Sequence, residues 1–267
     1  MKKLFLLITL LSITYTFSQE GKKKEQEKII EKHYTKGAQT YNYTYQNAEW
    51  QKCLDEGLAK DSTIARLWQE KAMPYFKARK YEVGMAFIDK AVKYDSIEYL
   101  PYRGFIKCIF SKNYKDAIAD LEECKRKFGN GYVMDHTYNF YIGLSYLQLN
   151  EYSKAEKLFK EYIDEMIEKR QGLENSTAYF YYGITLYEQR EWEKAIAVFD
   201  KAIKQYPNFS EAKYYKSICL ARLGKQNEVK TLFKEAQDNY KIGYKLGEYN
   251  TSYEMYPYQL SAYQLNL

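Results

Sequence analysis

Small and large apolar residues alternate at helical spacing between Gly183 and Pro207. Apolar positions four and seven residues apart indicate amphipathic helices in this segment. Gly183 and Ala195, twelve residues apart, provide the small side chains that let two helices cross closely, and Phe199 fills the space beside the crossing. Ala202 leaves room for a following helix, and Pro207 ends the pattern because proline cannot continue a helix. The segment is therefore predicted to be a helix hairpin.

The same series recurs on both sides of this hairpin. The matching positions are Gly143, Ala155 and Phe159 upstream, and Ser217, Val229, Phe233 and Ala236 downstream. An apolar pattern that returns at a period of 20–50 residues is typical of stacked repeats, in which each hairpin covers the apolar face of its neighbour.

These hairpins resemble the tetratricopeptide repeat, a helix–turn–helix family. Residues 176–209 match it best, and their signature slots hold Tyr179, Tyr182, Gly183, Leu186, Trp192, Ala195, Phe199, Ala202 and Pro207. Further repeats are assigned to residues 65–98, 97–131, 136–169 and 210–243, a degenerate one to 31–64, and an insertion to 170–175. The resemblance implies an all-α fold, a right-handed superhelical solenoid of stacked helix–turn–helix repeats. Pro74 lies inside one first helix, where it is expected to kink or loosen that helix.

The N-terminal end of the chain reads as a targeting segment. Residues 1–18 begin with lysines, continue with an apolar run over residues 4–17, and end with small residues before Gln19. This is the pattern of a secretory signal peptide, and the run is shorter than the ~20 residues that a membrane-spanning helix needs. An uncleaved membrane anchor is the alternative. We predict an exported chain, periplasmic, envelope-associated or secreted, with a charged linker over residues 19–30.

The C-terminal end, residues 244–267, is rich in tyrosine. Tyr253, Tyr256 and Leu260 keep a spacing of three and four residues, which favours a helical cap over the exposed end of the last repeat. An extended segment that lies in the groove of the array is the alternative.

Composition and charge change this picture little. The 267 residues include 31 tyrosines, are 46% hydrophobic and 28% charged, and carry a formal net charge of +6, which is typical of a globular chain. Lysine and glutamate alternate along the helices rather than forming a basic stripe. We therefore expect no nucleic-acid partner and, after cleavage of the signal peptide, no membrane span.

The chain offers little for bond chemistry. Its four cysteines occupy apolar helical positions without metal-ligand spacing, which favours buried free thiols; a Cys108–Cys124 disulfide is the one alternative. Asp135, next to His136, is interpreted as a helix N-cap rather than as half of a catalytic dyad. With no phosphate-binding loop or nucleophile elbow, we predict that the chain is not an enzyme and holds no metal or cofactor.

The resemblance further implies that partners bind the concave face, which the first helix of each repeat lines. The residues in those slots are Arg66, Gln69, Phe76, Lys77, Thr137, Phe140, Leu144, Thr177, Phe180, Tyr187, Glu188, Glu211, Tyr214 and Arg222. Phe140, Phe180 and Tyr214 share one slot in three successive repeats, which predicts an exposed aromatic ladder unless these rings pack into the core. Apolar residues replace the lysine and asparagine of carboxylate-clamp relatives, so the expected partner is a protein or peptide with an apolar or aromatic segment.

The predicted function is therefore a non-catalytic scaffold that binds a protein segment on its concave face, within an assembly of the cell envelope. One alternative is a structural spacer or self-assembling subunit of such an assembly. Another is a hydrolase, which would need Glu188 and Glu211 to converge on one cavity.

Overall fold

The computed structural model describes residues 20–169 and 175–267, and the chain divides into two compact units, one up to Tyr99 and one from Leu100. The predicted signal peptide, residues 1–18, and residues 170–174 of the predicted insertion lie outside the described part of the chain. The prediction of an all-α fold is confirmed, because consecutive helices pack in pairs.

Within the described residues, four helices lie entirely in the N-terminal unit. They are α1 (residues 20–30, continued by a π-helical turn at Glu31–Thr35), α2 (Asn47–Leu58), α3 (Ala65–Lys77) and α4 (Tyr81–Tyr94), with a 3-10 turn at Ala38–Thr40. The expected linker at residues 19–30 is thus helical from residue 20. Its buried Ile29 joins Trp50, Leu54 and Leu67 in one apolar cluster, so burial of a few apolar residues among the charges explains the helix.

Helix α3 continues for three residues beyond Pro74, which was expected to kink or loosen it. Proline has no N–H group, so the carbonyl four residues earlier, that of Glu70, loses its helical partner. The indole Nε1 of Trp50 donates to that carbonyl oxygen at 3.1 Å, and Gln51 Nε2 donates to the carbonyl oxygen of Lys71 at 3.1 Å. Side chains of α2 therefore satisfy carbonyl groups of α3 next to the proline.

The C-terminal unit contains the remaining helices. They are α5 (Ser96–Ile109, which begins before the unit boundary), α6 (Tyr114–Phe128), α7 (Tyr138–Gln148), α8 (Tyr152–Lys169), α9 (Ser176–Glu188), α10 (Trp192–Gln205), α11 (Ser210–Arg222), α12 (Gln226–Lys241) and a 3-10 turn (Ala262–Leu265). Two short antiparallel strands, β1 (Tyr132–Val133) and β2 (His136–Thr137), precede α7, with Val133 opposite His136.

Small residues stand where paired helices cross. A Cβ atom added at Gly183 of α9 would lie 2.6 Å from Cε1 of Phe199 on α10. One added at Gly84 of α4 would lie 2.5 Å from Cε1 of Phe76 on α3, which is 1% exposed. Phe76, expected in the concave groove, thus packs into a helix crossing instead.

The hairpin turns share one backbone conformation. A residue with positive φ follows each first helix from α3 to α11; these residues are Arg79, Lys112, Asn150, Arg190 and Gly224. This left-handed conformation reverses the chain within a few residues, and glycine adopts it at the lowest cost. The repeat period therefore extends from the helices into their connections.

We predict that Gly183→Ala lowers the free energy of unfolding, because the new methyl group must displace the buried ring of Phe199. Overpacking of a core costs about 1–3 kcal/mol, which outweighs the roughly 1 kcal/mol that alanine contributes as a better helix former. Urea unfolding followed by far-ultraviolet circular dichroism measures the change.

Gly143→Ala on α7 is the matched control for this substitution. There the added Cβ atom would lie 3.3 Å from Cβ of Leu158, so a small shift accommodates it. An equal loss of stability in both variants would show that the close crossing of α9 and α10 is not the cause.

Candidate functional site

The predicted groove residues of the N-terminal unit contact tyrosines of the same unit. The guanidinium carbon of Arg66 lies 5.1 Å from the centre of the Tyr34 ring. Lys77 Nζ donates to the hydroxyl of Tyr43 at 3.0 Å and lies 4.6 Å from the centre of that ring. Gln69 is half-buried. These cation–π contacts hold two of the predicted binding residues against Tyr34 and Tyr43.

The predicted aromatic ladder is not exposed, which corrects that expectation. Phe140 and Phe180 are both 0% exposed. The Phe140 ring lies 5.9 Å from Phe159 of α8, and the Phe180 ring lies 5.1 Å from Phe209. Tyr214 is half-buried beside Phe233 of α12, at a ring distance of 6.0 Å. This slot points toward the second helix of each hairpin, so its rings form core.

The other predicted residues of the C-terminal unit differ in exposure. Thr137, Leu144, Thr177 and Glu211 are buried, Tyr187 and Glu188 are half-buried, and Arg222 is exposed.

A second aromatic series, one residue further along each first helix, was missed in the sequence. Tyr141 of α7, Tyr181 of α9 and Tyr215 of α11 occupy the next slot in the same three repeats and are buried. Burial raises the pKa of Tyr181 well above its usual value, and the nearby Glu248 and Tyr256 add to this rise. Tyr181 donates to the carbonyl of Pro257 and Tyr215 packs on Tyr258, so residues 244–267, hereafter the tail, cover these two tyrosines. We call the surface formed by Tyr141, Tyr181, Tyr215, Glu188 and Glu211 the docking face.

The tail follows an out-and-back path over the C-terminal unit. Its contacts, in chain order, are Tyr244 O with Ser210 Oγ, Glu248 with His136 (3.1 Å), Met255 O with Lys112 Nζ (2.6 Å), Pro257 O with Tyr181 Oη (3.0 Å), Leu260 N with Glu211 Oε1 (3.4 Å) and Leu265 O with Gln237 Nε2 (2.7 Å). It therefore runs from the start of α11 to the α5–α6 turn and returns to α12. The spacing that favoured a helical cap does not form a helix there.

Apolar burial reinforces these bonds. Leu246, Tyr256, Leu260 and Leu265 are each at most 3% exposed. Tyr258 donates its hydroxyl proton to Glu188 Oε1 at 2.8 Å, and its ring lies 5.8 Å from that of Tyr215. A segment with this much buried apolar surface is part of the packed structure.

His136 connects the tail to the interior of the C-terminal unit. Its ring is 1% exposed and stacks on Phe140 at 3.7 Å, with Nδ1 at 2.9 Å from Tyr162 Oη and Nε2 at 3.1 Å from both carboxyl oxygens of Glu248. Both ring nitrogens are thus engaged, and the histidine holds the tail.

Asp135 does not cap a helix, contrary to the expectation. Thr137 occupies the N-cap position of α7, with extended backbone and no side-chain cap bond. Asp135 lies instead in the turn between β1 and β2, after Met134, which has a φ of +51°. The short β hairpin separates Asp135 from the start of the helix by two residues, so its carboxylate cannot serve as the cap.

Glu211 is a buried carboxyl group on the docking face. Burial raises its pKa to about 7, while backbone hydrogen bonds, including those from Leu260 and Leu246 of the tail, oppose the rise. Its protonation state therefore changes close to neutral pH, at a point where the tail is bound.

The four cysteines lie in buried or half-buried positions. All four cysteines are free, so the Cys108–Cys124 disulfide does not form. Burial raises the pKa of the Cys108 thiol to about 12 and that of Cys124 to about 11. Within residues 20–169 and 175–267, no three His, Cys, Asp or Glu side chains are placed to hold a metal ion. In the same part of the chain, no helix is both long and apolar enough to cross a membrane.

We predict that Glu211→Gln removes a pH-dependent loss of stability. Unfolded glutamate has a pKa near 4.5, so between this value and about 7 the unfolded chain loses its proton before the folded chain does. The native state is thus destabilised as pH rises through that window, by up to about 3 kcal/mol, and not below it. Unfolding midpoints of both proteins between pH 4 and 8 measure the difference. The exposed Glu228→Gln serves as control, and a wild-type-minus-variant difference that is flat with pH would contradict this role.

Sequence comparisons identify repeats in the C-terminal unit. Profiles described as tetratricopeptide repeats match residues 176–209 and residues 139–165. No curated protein matches the chain.

Solved structures share the fold. A tetratricopeptide repeat protein from Parabacteroides merdae has a TM-score of 0.63 at 16% identity, with 81% of this chain and 80% of that chain covered. PilW, a type IV pilus biogenesis factor, has a TM-score of 0.60 at 13% identity and coverages of 74% and 89%. YrrB, described as having an unusual peptide-binding site, has a TM-score of 0.51 at 18% identity and coverages of 71% and 93%.

Proposed function

Because this chain is a tetratricopeptide-repeat protein, we propose that it is a non-catalytic scaffold that binds a protein segment on the docking face. Proteins of this fold present the first helices of their repeats as a recognition surface. The proposal places binding one slot away from the predicted ladder, on Tyr141, Tyr181 and Tyr215.

One observation carries the proposal: the docking face already holds an irregular segment through main-chain groups. Tyr181 donates to the carbonyl of Pro257, and Glu211 accepts from the amide of Leu260. Main-chain contacts do not depend on the identity of the side chain, so the same groups can bind another segment. The peptide-binding site named for YrrB supports recognition of this kind.

We further propose that the chain acts outside the cytoplasm, in the periplasm or cell envelope or after secretion. The signal-peptide pattern of residues 1–18 supports this location. PilW, a structural neighbour, is named as a pilus biogenesis factor, which is consistent with an envelope assembly as the setting.

Glu188 and Glu211 favour a scaffold over a hydrolase. Glu188 accepts the hydroxyl proton of Tyr258, and Glu211 accepts the amide proton of Leu260. Both carboxyl groups thus bind a neighbouring segment of polypeptide. A spacer or self-assembling subunit would not require this docking face to be accessible to a partner.

Panning of a random peptide library tests the proposal. The bait is the chain with Tyr258→Ala and Leu260→Ala, hereafter the open variant, which lacks two anchors of the tail. We expect it to enrich a set of related peptides, and the additional changes Tyr181→Phe and Tyr215→Ala to abolish that enrichment. Circular dichroism checks that all baits keep their helicity. No enrichment, or equal enrichment on both baits, would reject binding at the docking face.

A further inference from the structure

We infer that the tail is an internal competitor for the docking face, and that the partner carries a segment of the tail's own chemistry. That segment carries two glutamates and contains a proline between two aromatic residues, at least the second of which is tyrosine. The inference rests on the proposed function, because it names the ligand class and the regulation of the same site.

The tyrosine after the proline is recognised at both ends of its side chain. The ring of Tyr258 packs edge-on against Tyr215 at 5.8 Å, and its hydroxyl donates to Glu188 at 2.8 Å. Phenylalanine would retain the ring contact and leave Glu188 without this donor, so the site selects for a hydroxyl-bearing aromatic residue.

The proline fits the docking face for a backbone reason. Pro257 is buried and its carbonyl accepts from the hydroxyl of Tyr181 at 3.0 Å. Any other residue here would bring a backbone N–H into the interface that requires its own partner, whereas proline brings none. On the other side of the proline, Tyr256 is 2% exposed and its ring fills the interface.

The two glutamates of the tail contact a histidine and a lysine of the array. Glu248 is buried against His136, which Tyr162 holds through its other ring nitrogen. Glu254 lies 3.8 Å from Lys112, whose ammonium group also donates to the carbonyl of Met255. His136 and Lys112 of the array thus contact the two glutamates of the tail, which fixes the register of the bound segment.

The tail does not satisfy every polar atom that it buries. Within the described residues, Tyr141 Oη and Glu211 Oε2 on the docking face have no hydrogen-bonding partner. Buried polar atoms without partners weaken an interface. A partner segment that supplies hydrogen bonds to these atoms makes more favourable contacts with the docking face than the tail does. The tail has the advantage of its covalent attachment.

The connection between α12 and the tail permits release. Gly243 has a φ of +94°, and Ile242 and Tyr244 beside it are exposed. Rotation about these residues can free the tail without disturbing the packed face of α12.

Binding of a labelled peptide with the sequence of residues 244–267, followed by fluorescence anisotropy, tests the inference. We expect the open variant to bind it at least tenfold more tightly than the wild type, because the attached tail competes at an effective concentration on the order of millimolar. Tyr263→Ala is the matched control, since Tyr263 belongs to the tail and is 89% exposed; it should behave as the wild type. Equal affinity for the wild type and the open variant would overturn the competition.

Changes in the peptide test the ligand class. Tyr258→Phe, Pro257→Ala and Glu248→Gln in the peptide are each expected to weaken binding to the open variant several-fold, and a scrambled peptide to lose it. Binding of the scrambled peptide at equal strength would overturn the proposed chemistry. If library peptides bind the open variant and the tail peptide does not, this inference fails while the proposed function stands; if neither binds, both fail.

A chain that is cut between α12 and the tail provides a test that does not depend on correct folding of the open variant. A protease site inserted after Gly243 cuts the connection and keeps every docking residue of the wild type. We expect the labelled peptide to exchange with the cut tail, and no exchange over a day with excess peptide would overturn the inference.

Discussion

The close crossing of paired helices at small residues is the constraint on which the rest of this structure depends. Gly183 lets Phe199 lie directly on the backbone of α9, and Gly104 does the same for Leu121 on α6. This approach sets the rotation of each first helix about its axis. Once the rotation is set, adjacent residues on the helix contact different neighbours.

That rotation separates two adjacent aromatic series. Phe140 and Phe180 point into the hairpin and have no polar atom to satisfy, whereas the buried Tyr141, Tyr181 and Tyr215 each carry a hydroxyl group. Tyrosine suits this place because its ring supplies buried apolar area and its hydroxyl can bind a backbone carbonyl. Tyr181 uses both properties, because its ring is buried and its hydroxyl donates to the carbonyl of Pro257.

The interface between the tail and the array combines favourable burial of apolar side chains with unfavourable burial of a carboxyl group. Apolar anchors such as Leu260 and Leu265 bury their side chains, while Glu211 is buried at a cost that changes near neutral pH. A site meant only for permanent closure gains nothing from such a group. A displaceable segment requires an interface in which some buried polar atoms lack hydrogen-bonding partners, together with an exposed hinge such as Gly243.

The sequence by itself determined the hairpins, because their contacts join residues within one repeat, such as Gly183 and Phe199, and the small–large–small pattern records them directly. It also predicted the first helices as the recognition surface, and this stays a prediction. It did not distinguish the slot of Phe180 from that of Tyr181, since both are aromatic and adjacent. Only the tertiary structure decided that choice and the course of the tail, because contacts such as Tyr181 with Pro257 and His136 with Glu248 join residues 76 and 112 positions apart. No periodic pattern records pairings at such distances, which depend on the completed packing of the array.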